Sequence, residues 1–316
     1  MKRKSFLTTA AIPLASLALP QVASAQAQPL NLRVASTAND TYASAYYAQD
    51  MGFFTKAGLN VDLQTLNNGA TIAAAVVGGT IGIGVSTPIQ IANAYIGGVQ
   101  LVIVAAGSVS STKVKTLLLC VAKSSGFKSP KDLEGKIVAV NALKSGSEVG
   151  LDAWLVQNGI DISKIKVIEA NFSQMAPSLL RGAIGGAVMA EPALTQALKD
   201  PGIVVFGDPN AAIAPQFVSS CWFSTREFAQ QNPEVIGRFS RAIYDAQKWA
   251  NAHQSESAAI LAKYAKMDVA LVRSIARSTY AEAMRIAEVQ PFLDAAVKYG
   301  TISKPVNALD LLIRNP

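Results

Sequence analysis

From Leu32 to about Gly107, short β-like stretches alternate with helical ones, and the same order returns from Lys136 to Gly207. No other feature limits the fold as much. Strand–helix–strand alternation requires helices that cross over a sheet, and so strands that run parallel. In the first run "LRVAS", "NVDLQTL", "TIGIGVS" and "VQLVIVAA" read as strands. They are separated by the helical stretches "YASAYYAQDMGFFTKAG", ending near Gly58, "ATIAAAVVGG" and "PIQIANAYIGG". In the second run "KIVAV", "KIKVIEA", "AIGGAVM" and "GIVVFG" enclose "SEVGLDAWLVQNG", "QMAPSLLRG" and "PALTQALKD". Pro88 and Pro192 each open a helix, as proline does at a first helical position. Local spelling repeats as well: Gly79-Thr80-Ile81-Gly82 matches Gly182-Ala183-Ile184-Gly185. Two lobes of like architecture are expected, 26–112 and 123–215, joined by crossing strands at 113–122 and 216–223.

The stretch Gly82-Ile83-Gly84 is one residue short of a dinucleotide fingerprint, since Thr87 stands at the third glycine. A phosphate-cradling loop needs its glycines after the strand, in the turn and helix start. Here they lie before and within it, where small residues let a buried strand approach its helices. No cofactor is expected. Past Thr225 the chain reads as helical: Asn232-Pro233-Glu234 has the order of a helix start, and Val235, Ile236, Phe239, Ile243, Ala246 and Trp249 recur at helical spacing. The stretches 255–266, 268–288 and 291–299 read the same way. Residues 224–316 are therefore expected to pack back on the first lobe.

The amino terminus is of another kind. Lys2, Arg3 and Lys4 precede a mostly apolar run from Phe6 to Pro20, followed by Ala23-Ser24-Ala25. This is the layout of a secretory signal peptide, residues 1–25, cut near Ala25. "RKSFL" is one residue from a twin-arginine signal, so export by Sec or by that route are both open. Removing this segment takes three of the 28 Lys and Arg and none of the 21 Asp and Glu, leaving +4 spread along the chain. No basic cluster points to nucleic acid. The mature chain is expected to be soluble in a periplasm and monomeric.

In open parallel α/β sheets ligands bind beyond the carboxyl ends of the strands, where loops enter helix N-termini. With two lobes facing each other, those loops line one cleft. They bring Thr37, Asp40, Tyr42, Asn68, Gly69, Ser86 and Thr87 from the first lobe. Lys144, Ser145, Ser147, Asn171 and Glu191 come from the second. Ser, Thr, Asn and Gly suit hydrogen bonding to a small polar ligand, and helix N-termini favour an anion. Several have a second reading as caps. Ser145 and Glu148 have capping-box spacing, and Thr87 stands before Pro88 as an N-cap would. Tyr42 and Trp222 are aromatic candidates for stacking on a ligand or for the core. His253, the one histidine, has no metal-ligand spacing and reads as a surface residue; no metal is expected. Cys120 and Cys221 fall in the predicted crossing strands, which would run side by side; a disulfide and two buried thiols are both open.

Three segments carry a family resemblance. "YYAQDMGFFTKAGLNVDL", "GFKSPKDLEGKIVAVN" and "AEPALTQAL" resemble, in that order, signatures of periplasmic binding proteins of the nitrate/sulfonate/taurine type. The resemblance runs from about residue 32 to 245. It implies a two-lobed clamshell of the type II periplasmic-binding-protein kind, α/β in class, with a mainly parallel sheet in each lobe. It also implies a small-molecule ligand among sulfonates, taurine, nitrate and pyrimidine precursors of thiamine, and an ABC importer permease as partner. Many relatives carry an aspartate where this chain has Gly82 and Gly185, so contacts through those acids do not transfer. Desulfinases with a cysteine nucleophile share the architecture, which makes an enzyme the alternative. The cleft mixes Lys144 with Asp40 and Glu191, leaving an anionic group slightly preferred.

Overall fold

The computed structural model describes Met1 and residues 28–313. Apart from Met1, the expected signal peptide lies outside the described residues. The first run of alternation forms β1 (Leu30–Ser36), α1 (Ser44–Asp50), α2 (Phe53–Lys56), β2 (Leu59–Thr65), α3 (Gly69–Val77), β3 (Ile83–Ser86), α4 (Pro88–Ile96) and β4 (Leu101–Ala106). The helix expected to run unbroken to Gly58 is divided. A 3-10 turn over Asp40–Tyr42 precedes α1, and Gly52, at φ 72°, turns the chain into α2. After β5 (Ser108–Ser111) the chain crosses to the second lobe. There it forms β6 (Leu117–Ala122), β7 (Ile137–Val140), α5 (Gly146–Gln157), β8 (Lys166–Glu169), α6 (Phe172–Leu180), β9 (Gly186–Ala190), α7 (Ala193–Leu198) and β10 (Ile203–Gly207). It returns through β11 (Gln216–Val218) and β12 (Cys221–Thr225).

The two sheets have matching orders, β2-β1-β3-β12-β4 and β8-β7-β9-β6-β10. In each, a single antiparallel strand lies between the third and fourth parallel ones. That strand is contributed by the crossing segments, β12 to the first sheet and β6 to the second. The strands expected side by side are thus in different sheets. The pair that does run side by side is β5 with β11, joined by β13 (Thr279–Tyr280) in a third, small sheet. Cys120 lies opposite Val205 and Ala187, Cys221 opposite Ser86 and Ala106. Both are buried free thiols, and the disulfide reading is corrected.

Side chains alternate along β6, so its two faces enter two cores. Cys120 packs with Met175, Leu179 and Leu194 of α6 and α7, whereas Leu119 and Val121 pack with Leu151, Trp154 and Leu155 of α5. A parallel sheet covered by helices on both faces gives such near-continuous apolar strands. In the first lobe, Gly84 has the role expected of it. A Cβ there would run into Ile72 and Val76 of α3.

The carboxyl-terminal segment forms α8 (Arg226–Gln231), α9 (Pro233–Ala252), α10 (Gln254–Ala265), α11 (Val269–Ser274) and α12 (Ile286–Lys298). Val235, Phe239, Ile243 and Ala246 of α9 join one core with β4 and α1, and fully burying each large side chain of this kind contributes about 1.5–3 kcal/mol. The continuous helix expected over 268–288 is not formed. Helix α11 stops at Ser274, and the following segment carries Arg277 onto Asp40 and pairs β13 with β5. Asn232 does not cap α9 with its side chain, which instead donates to the Phe228 carbonyl. Among the described residues no helix is long and apolar enough to cross a membrane.

Candidate functional site

Three helices from the two lobes aim their N-termini at one space. Asn68 caps α3, its Oδ1 accepting from the Thr71 N–H at 2.9 Å. Thr87 caps α4, accepting from Gln90 N–H at 3.4 Å. Helix α5 differs, because Ser145 makes no capping bond. Its hydroxyl donates back to the Ala142 carbonyl at 2.6 Å and lies 2.8 Å from that of Ser147, which donates to Asn141 Oδ1 at 2.6 Å. Glu148 accepts from the Lys144 N–H, one residue off the capping-box pattern. The first-turn amides of α5 therefore keep free donors of the kind a ligand acceptor can take.

These N-termini border a partly open cavity of about 60 Å³. Asn39, Thr41, Tyr42, Gly69, Thr87 and Gln90 line it from the first lobe, and Asn141, Ala142, Ser145, Gly146, Ser147, Phe172 and Ala190 from the second. Thr116, Leu117, Asn210, Ser219 and Phe292 complete the wall, which contains no charged side chain. Burial, and secondarily Cys221, push the Tyr42 phenol well up, so it stays a neutral hydroxyl. Asn68 stands beside this space and spans the lobes. Its Nδ2 donates to the Asn141 carbonyl at 3.4 Å and to Glu169 Oε1 at 3.3 Å.

Of the candidates named from sequence, Tyr42, Gly69, Thr87, Ser145 and Ser147 reach the cavity wall, and the others do not. Ser86 is buried behind it, donating to Gln90 Oε1 at 3.0 Å. It also touches the position a Cβ on Gly69 would take, which makes glycine necessary there. Thr37 is buried with its hydroxyl unpartnered, and neither Lys144 nor Asn171, both exposed, lines the cavity. Asp40 is fully buried and engaged by Arg277 Nε at 2.6 Å and by the Ser278 N–H. It holds the carboxyl-terminal segment on the 3-10 turn rather than facing a ligand. Glu191 lines a neighbouring cavity rather than this one and is engaged within the protein. Its carbonyl accepts from the Asp40 N–H at 3.2 Å, and its carboxylate accepts from Thr195 N–H and hydroxyl at 3.1 and 2.7 Å. Burial, and to a lesser degree Asp40, raise its pKa. Trp222 is core, packed edge-on to Phe239 and donating to Ser44 Oγ.

The family model described as NMT1/THI5 like matches residues 39–257, well over half of the chain. The chain belongs to the NMT1/THI5-like family. A binding protein of Brucella abortus (strain 2308) is similar to it, 26% identical over 325 residues, covering 98% of this chain and 97% of that one. The taurine-binding periplasmic protein of Escherichia coli (strain K12) is 27% identical over 227 residues, 71% of this chain and 67% of its own. The crystal structure of the periplasmic aliphatic sulphonate binding protein SsuA from Escherichia coli superposes with a TM-score of 0.72 at 20% identity, covering 91% of this chain and 93% of that one. The fold of this NMT1/THI5-like protein is accordingly the two-lobed one.

In this NMT1/THI5-like chain the wall residues that sequence reasoning missed are neutral. Asn39, Thr41, Phe172 and Ala190 fall inside the loops that the strand ends select, yet carry no charge or motif to single them out. Gln90 lies one turn into α4, where its spacing from Thr87 was a usable signal. Phe292, in α12, reaches the site only through tertiary folding.

Proposed function

We propose that this protein is the solute-binding component of an ABC importer. It captures a small polar organic ligand between its lobes and presents it to an inner-membrane permease. One observation carries the reading: α3, α4 and α5, from both lobes, converge by their N-termini on one interlobe cavity whose wall is uncharged and carries hydrogen-bonding groups. Such a wall binds and orients a head group that accepts hydrogen bonds. The similar proteins named for binding taurine and aliphatic sulphonate support this ligand range, to which nitrate and pyrimidines are added by the sequence resemblance. The protein acts in the periplasm after removal of residues 1–25, as a monomer. The lobes open and close where the chain crosses, near Thr112 and Pro215, whose N–H and carbonyl bond at 3.1 Å. These points adjoin the starts of the expected crossing segments 113–122 and 216–223, ahead of the parts that β6 and β12 contribute to the two sheets.

A cysteine-nucleophile enzyme is not favoured. Burial, with a smaller effect of Glu191, pushes the Cys120 thiol up to about 12, and burial pushes Cys221 further. Both remain protonated at neutral pH, and the thiolate is the nucleophile. The test is a thermal-melt screen of mature protein against sulfonates, taurine, nitrate and pyrimidines. Ligand-dependent stabilisation without turnover is expected; no shift with any of them at millimolar concentration overturns the reading.

A further inference from the structure

Glu191 stands where the two lobes meet. It lies between β9 and α7 of the second lobe. Its carbonyl accepts from the Asp40 N–H of the first lobe at 3.2 Å, and the Ala276 N–H of the carboxyl-terminal segment faces its carboxylate. Within its own lobe the carboxylate is held by Thr195, through the N–H at 3.1 Å and the hydroxyl at 2.7 Å. The residue is 3% exposed, yet it lines a cavity of about 570 Å³ that both lobes wall, with Asn39 and Met267 on one side and Met189 and Gln196 on the other. Solvent in that cavity can supply or take a proton. The surroundings offer an anion no countercharge. Asp40, on the 3-10 turn, is itself an anion and takes Arg277 Nε at 2.6 Å, while Cys120 on β6 is a protonated thiol. Asp200, further along the cavity wall, is another carboxylate and accepts from the Gly202 N–H at 2.7 Å. Among the described residues no Lys, Arg or His lines this cavity. Burial raises the Glu191 pKa against the hydrogen bonds from Thr195, and Asp40 adds to the rise.

We propose that Glu191 is a proton-operated clasp between the lobes: neutral, it lets the cleft close, and ionised, it favours the open form. The inference goes beyond solute capture and rests only on the opening and closing of the lobes proposed above, with no ligand involved. Opening the cleft takes Asp40 and Ala276 away from Glu191 and returns its carboxylate to water, while Thr195 moves with it. The Thr195 hydroxyl serves both states, donating to the carboxylate and accepting from the carboxyl O–H. The closed form therefore holds the proton more tightly than the open one. Its advantage is complete below the ordinary carboxylate range and is lost as pH rises through the raised value. Each pKa unit by which closure raises Glu191 multiplies the closed-to-open ratio in acid about tenfold.

The test is small-angle scattering of unliganded mature protein from about pH 5 to 8, with circular dichroism on the same samples. The wild type is expected to be compact in acid and to expand as pH rises, with its helix signal unchanged. Glu191→Gln keeps a neutral donor and acceptor beside Thr195 and should stay compact at every pH. Asp152→Asn removes the other buried carboxylate whose pKa is raised, and should keep the wild-type response. A wild-type profile independent of pH, an expansion that comes with loss of helix signal, a response that survives in Glu191→Gln or one that is lost in Asp152→Asn overturns the inference. None of these outcomes bears on solute capture, which the ligand screen decides separately.

Discussion

Asp40 and Arg277 are 237 residues apart in sequence and form a buried ion pair, 1% and 6% exposed at their side chains. Arg277 also donates to Tyr47 Oη at 2.7 Å and to the Gln254 carbonyl at 2.9 Å. Removing one partner strands the other charge, so Arg277→Met should cost about 3–5 kcal/mol in denaturant unfolding. Asp152 behaves differently. Burial, and then Glu148, push its pKa up to about 7, against about 3.9 for an unfolded chain. The folded state thus holds the proton more tightly, and stability falls as pH rises between about 4 and 7. Asp152→Asn is expected to raise Tm clearly at pH 8 and much less at pH 5, measured by calorimetry across that range. The thiols give a third expectation: neither Cys120 nor Cys221 reacts with a thiol reagent in the native protein, and both react in denaturant. At this scale the sequence was least legible. Asp40, Lys144 and Glu191 drew attention as charges, yet a charge in a loop is as readily claimed by a distant partner or by solvent as by a ligand. Nothing local to Asp40 announced Arg277.

Helix N-termini were legible as elements, because strand–loop–helix order fixes which ends face the cleft. Which of them is capped was not. Asn68 caps α3 as an asparagine can, whereas Ser145, in apparently better capping context, turns its hydroxyl to Ala142. The result divides labour between helices: α3 and α4 are satisfied by their own side chains, and α5 keeps free amides. Ser145→Asp would supply a competing acceptor at those amides. It should weaken ligand binding at least tenfold, read by titration, with the fold retained by circular dichroism. The missed break at Ser274 has a similar origin, since Val269–Ser274 and Ile286–Lys298 are both helical and only pairing with β5 makes the chain extended between them.

On the scale of the molecule, the repeat and the two parallel sheets could be read from the alternation of apolar runs, whose period is a local property. The placement of β6 and β12 could not, because an antiparallel strand buried on both faces looks like any other apolar run. With the lobes together, Asn68 bonds across to Asn141 and Glu169. Asn68→Ala should therefore raise the radius of gyration of the unliganded protein in small-angle scattering by favouring the open form; an unchanged profile would sink this role. The strand insertions also set an order of assembly. All five strands of the second sheet lie within residues 117–207 of continuous chain, while the first sheet has a gap between β3 and β4 that only β12 fills. A ribosome releasing this chain delivers the second lobe whole before the first can close, so the amino-terminal half has to wait, unfinished, for residues 221–225. A fragment covering 113–213 should fold when expressed alone, and one covering 28–112 should not. The amino-terminal half is therefore the part of the molecule whose completion is set by its carboxyl-terminal half, and its lifetime as an open sheet is the time the chain takes to reach β12.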